Sequence, residues 1–105
     1  MIERNEKRVV VIARFTAKPG KEQELLQNLH SLMAPTHKEP GCIRYELNQD
    51  VADSRIFTFV EKFDSQEAFD SHKKMPHITH HFQNVAPGLV EASSISVHRE
   101  ILPYS

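Results

Sequence analysis

Two hydrophobic periods alternate along this chain, and their order limits its fold more than any other feature. Apolar residues recur at every second position in residues 9–16, 42–48, 55–63 and 90–101. Between the first and second of these runs, and between the third and fourth, they recur every three to four positions. Period two reads as strand and period 3.6 as helix. The order is therefore β-α-β-β-α-β, the ferredoxin-like split βαβ arrangement. This is an α+β fold, with a four-stranded antiparallel sheet and helices on one face. The first strand carries Val9, Val11, Ala13 and Phe15 on one side and Val10 and Ile12 on the other, and the third adds Ile56 and Val60 to that second side. Helices on one face leave the second apolar face open, which is unfavourable in a monomer. A second copy related by a two-fold axis covers it, so the pattern predicts a homodimer through the open sheet face.

Local signals set the boundaries. Lys18-Pro19-Gly20 ends the first strand, and Leu25, Leu26, Leu29, Leu32 and Met33 form the inward stripe of the helix that follows. Pro35 removes a backbone donor and predicts a kink or restart. Pro40-Gly41 closes the segment. The second strand is expected to place Ile43, Tyr45 and Leu47 on one face and Cys42, Arg44 and Glu46 on the other. Asp64 or Ser65 caps the next helix, and Pro76 suits the first turn of another. There Ile78, Phe82 and Val85 are expected inward, His77 and His81 on the flanks and His80 outward, with Pro87-Gly88 as the stop. Residues 1–7 read as a polar, frayed tail, 8–101 as a single domain and 102–105 as a second tail.

With 105 residues and a net charge of −1, the chain has no basic stripe for nucleic acid and no polybasic cluster for a membrane surface. Its one apolar run, VVVIA, is too short to span a bilayer, and the acids in MIERNEKR are unlike a secretion signal. A lone cysteine, Cys42, rules out an internal disulfide and fits a reducing compartment, so a cytoplasmic location is expected.

The functional signal lies between Arg55 and His77. Phe57, Phe59, Glu61 and Phe63 share one strand face, with Glu61 the only charge among three rings. Ala68, Phe69, His72 and Met75 share one helix face, with His72 near its middle. An acid and an imidazole thus occupy two positions where the pattern expects apolar residues.

The segments PTHKEPGCIRYEL and FVEKFDSQEAFDSHKKMPHI resemble the antibiotic biosynthesis monooxygenase superfamily of small dimeric α+β barrels, over about residues 8–101. The Glu61-Lys62-Phe63 triplet, the Ser65-x-Glu67-Ala68 helix start and the spacing of His72 and His77 carry the resemblance. One branch, the bacterial quinol monooxygenases, oxidises aromatic hydroquinones with dioxygen and no bound cofactor. Another isomerises phosphorylated autoinducer-2, and its pattern is echoed by SRIF, Glu61, His72 and Pro76-His77. A haem-degrading branch uses a tryptophan on the second helix, where this chain has His72 and no tryptophan anywhere. Where the quinol branch has tryptophan after the strand-three glutamate, this chain has Phe63.

The resemblance implies a cofactor-independent monooxygenase acting on a small aromatic substrate. His72 would be the base and Glu61 its orienting partner, with Tyr45, Phe59 and Phe63 as ring-stacking walls and His77 and Phe82 as further substrate contacts. A hydroquinone must lose a proton before it can reduce dioxygen without a metal, and an apolar pocket protects the intermediate. An isomerase of a small phosphorylated carbonyl compound needs nearly the same pair, with Arg14, Arg44 and Lys62 on the anion. A non-catalytic dimer that holds a small ligand is a third reading. Glu61 equally fits an ion pair with Arg14 or Arg44, and His72 a core histidine bonded to a carbonyl. No metal is expected: no acid lies between Asp70 and Glu91, and His77, His80 and His81 are expected to flank the apolar stripe without converging. Cys42 reads as a small strand residue.

Overall fold

A computed structural model describes residues 1–103. Its strands are β1 (Val9–Ala17), β2 (Cys42–Gln49), β3 (Ile56–Phe63) and β4 (Val90–His98). Helices α1 (Glu22–Ser31) and α2 (Met33–His37) follow β1, and α3 (Gln66–Lys73), α4 (Pro76–His80) and α5 (Ala86–Leu89) follow β3. The four strands form one antiparallel sheet in the order β2-β3-β1-β4. This is the expected ferredoxin-like α+β architecture, with the helices on the face of Val9, Val11, Ala13 and Phe15.

Burial follows the alternation on the central strands. Phe57, Phe59, Glu61 and Phe63 are all buried, and the residues between them are half-buried. Leu25, Leu29 and Leu32 seal the first helical segment onto this face, and the chain restarts as α2 just before Pro35. Ser65 is the α3 cap, its hydroxyl accepting from the Ala68 N–H at 3.1 Å. Pro76 opens α4 as expected.

Four local expectations are corrected. Ile43 does not share the Tyr45 face: a bulge between Cys42 and Arg44 makes Ile43 the extra residue, exposed, and turns Cys42 toward the core opposite Phe63. His81–Val85 form a π-helical turn. Its wider winding shifts the helix phase, so His81 is buried and Phe82 is 41% exposed, the reverse of the expected placement. Pro87-Gly88 does not stop the helix, which continues through both to Leu89. β4 ends at His98, and Ile101 pairs instead with Arg4. The two chain ends meet here: the Asn5 N–H donates to the Glu100 carbonyl, and the Leu102 N–H to that of Glu3. The last two residues of the expected 102–105 tail lie outside the described residues. Among those residues, no helix is long and apolar enough to cross a membrane.

One glycine positions the site. A Cβ on Gly41 would stand 2.3 Å from the Ala68 Cβ, and the Gly41 carbonyl accepts from the Asp64 N–H at 2.8 Å. The loop carrying Glu39 and Pro40 can therefore lie directly on α3. Gly41→Ala should lower unfolding stability by about 1–3 kcal/mol, the usual result of overpacking, and urea denaturation measures it.

Candidate active site

β3 places Glu61 between Val11 of β1 and Tyr45 of β2, and α3 lowers His72 onto the same apolar layer. Both side chains are 5% exposed. His72 Nε2 stands 4.0 Å from Glu61 Oε1, beyond hydrogen-bond reach. Among the described residues, Glu61 Oε1 has no hydrogen-bond partner. No arginine answers it either: Arg14 and Arg44 lie on the opposite sheet face, and Arg44 pairs with Glu46 at 2.8 Å.

The partner of His72 is Glu39, which sequence reasoning missed. Its two carboxylate oxygens lie 3.0 and 3.1 Å from His72 Nδ1. Oε2 also lies 3.2 Å from His77 Nε2. Thr36, fully buried, holds that same His77 nitrogen at 3.0 Å. A carboxylate only accepts, so Nδ1 of His72 carries the hydrogen and the neutral imidazole presents a bare Nε2. Burial lowers the pKa of His72, partly offset by the hydrogen bond and charge of Glu39 and reinforced by His77. The neutral, basic form is thus the one held at neutral pH. No periodicity marks Glu39, because it sits in a loop; its one signal is the Pro40-Gly41 that follows.

Glu61 behaves oppositely. Burial first, and the charge of Glu39 second, push its pKa up to about 8. Tyr45 is likewise raised, mainly by burial. The Cys42 thiol is pushed up to about 11 by burial and by the nearby acids, far from a reactive thiolate.

Glu61 and Tyr45 border a cavity of about 200 Å³. Glu61, His72 and Tyr45 line it from within, and Val11, Ala13 and Ile78 are among its apolar walls. Phe82 of the π-helical turn and Ile95 and Val97 of β4, 41%, 51% and 47% exposed, border it on its outer side. Phe59 and Phe63 stand behind this surface: Phe59 stacks on Tyr45 with centroids 4.4 Å apart, and Phe63 meets His72 at 4.9 Å. His77 lies on the Glu39 side of His72. The structure thus brings Tyr45, Phe82, Glu61 and His72 together around one space and leaves Phe59, Phe63 and His77 as their support.

Glu39, His72 and His77 present donor atoms within 4.8 Å of one another. Of the three histidines expected only to flank a stripe, His77 instead converges with His72 on an acid from a distant loop, while His80 and His81 stand apart. Hydrogen bonds already engage Glu39, His72 and His77, and a metal would have to replace them. His81 forms a separate buried pair with the Asn28 side chain, and its Nε2 has no partner. Burial lowers its pKa too, with His80 adding to the effect.

A family model described as antibiotic biosynthesis monooxygenase matches residues 8–84. A solved structure from Shewanella oneidensis superposes with a TM-score of 0.95 at 39% identity, covering 97% of this chain and 99% of that one. A protein of Mycobacterium tuberculosis, provisionally named a monooxygenase, is 32% identical over 85% of this chain and 87% of its own length. An uncharacterised Synechocystis protein is 30% identical over 78% of this chain, and the chain spans only 55% of that relative.

Glu61 makes stability depend on pH. Its folded pKa, about 8, exceeds the ordinary 4.5, so the native state binds the proton more tightly. Its contribution is complete below about 4.5 and is lost as pH rises toward about 8. Glu61→Gln, neutral at every pH, should therefore gain melting temperature relative to the native protein between pH 5 and pH 8. A constant offset across that range in thermal scans would mean that Glu61 does not titrate there.

Proposed function

This chain belongs to the antibiotic biosynthesis monooxygenase family, and from that premise we propose that it is a cofactor-independent monooxygenase of a small quinol or phenol. One observation carries the reading: an imidazole fixed by Glu39 turns a bare Nε2 toward an apolar cavity lined by a second carboxyl. An apolar cavity of about 150 Å³ accepts benzene, so about 200 Å³ suits one substituted ring.

His72 Nε2 takes the hydroxyl proton and leaves an electron-rich phenolate, with the imidazolium balanced by Glu39. The anion reduces dioxygen in a site with little water to quench the intermediate. One oxygen atom enters the ring and the other leaves as water, so hydroquinone and dioxygen give hydroxyquinone and water without an outside reductant. The phosphorylated-carbonyl isomerase reading has less support. Arg14, Arg44 and Lys62, its proposed anion contacts, belong to the sheet face opposite the cavity, and Lys62 is held by Glu100 at 2.8 Å.

The same family reading includes a homodimer. Val10, Ile12, Ile56 and Val60 form a half-buried apolar strip on the sheet face that the helices leave uncovered. Ile12→Asp or Val60→Lys should convert a dimer of 12.1 kDa chains to monomer in light scattering. A monomeric native protein at low micromolar concentration would refute the dimer.

His72→Ala should reduce dioxygen uptake with a hydroquinone by about 10²–10⁴-fold, the usual effect of removing a positioned base. Phe69 still anchors α3 in that variant. Unchanged activity per folded chain would make His72 a core histidine and remove the mechanism. Absence of turnover in the native protein with any ring bound would favour the binding-module reading.

A further inference from the structure

Resting on the reading that the cavity holds a phenol, we propose that Glu61 is a neutral acid donating a hydrogen bond to the substrate hydroxyl oxygen, whose proton passes to His72 Nε2. Glu61 is then a direct substrate contact, and the orienting role expected of it belongs to Glu39.

Two polar atoms 4.0 Å apart do not bond each other, but a hydroxyl oxygen in the cavity about 2.8 Å from Nε2 also reaches the Glu61 carboxyl when that carboxyl turns an oxygen toward it. A hydroxyl is the group that fits, because it donates to one neighbour and accepts from the other. Nε2 is bare and can only accept, so the group facing it must donate and Glu61 must supply the second hydrogen.

Among the described residues Glu61 Oε1 is buried without a partner, and its carboxyl belongs to a cavity lining that is otherwise mostly apolar. A buried polar atom left this way is costly unless a ligand completes it.

Glu39 and Glu61 flank one imidazole, and Glu39 takes its only hydrogen as well as the contact with His77. Tyr45 faces Glu61 from β2, His72 faces it from α3, and neither is cationic at neutral pH. Lys73 lines the cavity, but its amine is engaged by Asp70 at 3.2 Å and lies over the Phe69 ring. A carboxyl so placed keeps its proton. A protonated acid beside a developing oxyanion stabilises it, as the neutral aspartic acid of ketosteroid isomerase does. Proton accounting is simple: the hydroxyl hydrogen moves to Nε2, Glu39 balances the new imidazolium through Nδ1–H, and Glu61 O–H stays on its own oxygen while bonding the phenolate.

The test is binding, without turnover. Para-nitrophenol changes absorbance on ionisation, and nitrobenzene fills the same space without a hydroxyl. Both are titrated anaerobically into the native protein, Glu61→Gln and Glu61→Leu. The native protein should ionise bound para-nitrophenol at a lower pH than free dye, and should lose affinity for it as pH passes Glu61's titration. Glu61→Gln keeps an N–H donor, so it should retain affinity and lose that pH dependence. Glu61→Leu should bind nitrobenzene normally and para-nitrophenol about 10- to 100-fold more weakly, the effect of one hydrogen bond to a charged group. Equal para-nitrophenol affinity in Glu61→Leu and native protein overturns the proposal, even if dioxygen uptake proceeds. Failure of both rings to bind removes it together with the phenol reading. Correct binding without dioxygen uptake leaves the grip in place and overturns only the oxygenase.

Discussion

The hydrogen bond from His72 Nδ1 to Glu39 decides the character of everything around it. It joins a loop after α2 to the last turn of α3, and it fixes one imidazole tautomer. With the hydrogen held at Nδ1, the lone pair on Nε2 has only the cavity to face. The same carboxylate reaches His77 at the start of α4 and lies beside the Thr36 contact, so three helical segments meet at one charge. Removing one member of a buried, charge-assisted network leaves the others unpaired, so such clusters act as units.

The second carboxyl differs from the first in environment alone. Glu39 is surrounded by donors, whereas Glu61 is surrounded by the phenyl, phenol and aliphatic groups of the central strands. Burial thereby drives Glu61 toward its protonated form, while Glu39 has the His72 and His77 rings as partners. The shift follows from burial, since the Coulomb effect of Glu39 on Glu61 is the smaller of the two causes.

The cavity exists because the helices are too few to cover the whole inner face. α2 packs on β2 and α3 on β3, while Ile95 and Val97 of β4, paired to Ala13 and Val11, are left about half exposed. The π-helical turn carries buried His81 and, next to it, exposed Phe82 at the border of the cavity.

Much of this could be read from residue order. Alternation at Phe57, Phe59, Glu61 and Phe63 and the stripe through Phe69 and His72 determine which faces pack together, because burial of apolar surface is a property of local spacing. The four-stranded fold, the cap at Ser65 and the shared space of Glu61 and His72 follow from that. The bulge at Ile43 and the π turn at His81 did not follow, since each inserts one residue into a regular count and no side chain there signals it. Nor did Glu39. Its distance from His72 along the chain is closed only by the absence of a Cβ at Gly41, which lets the loop settle on α3. Sequence alone determined that an acid and an imidazole would share an apolar layer. Tertiary structure decided which acid holds the imidazole and which one burial drives toward protonation, because hydrogen-bond partners and desolvation are set by neighbours in space.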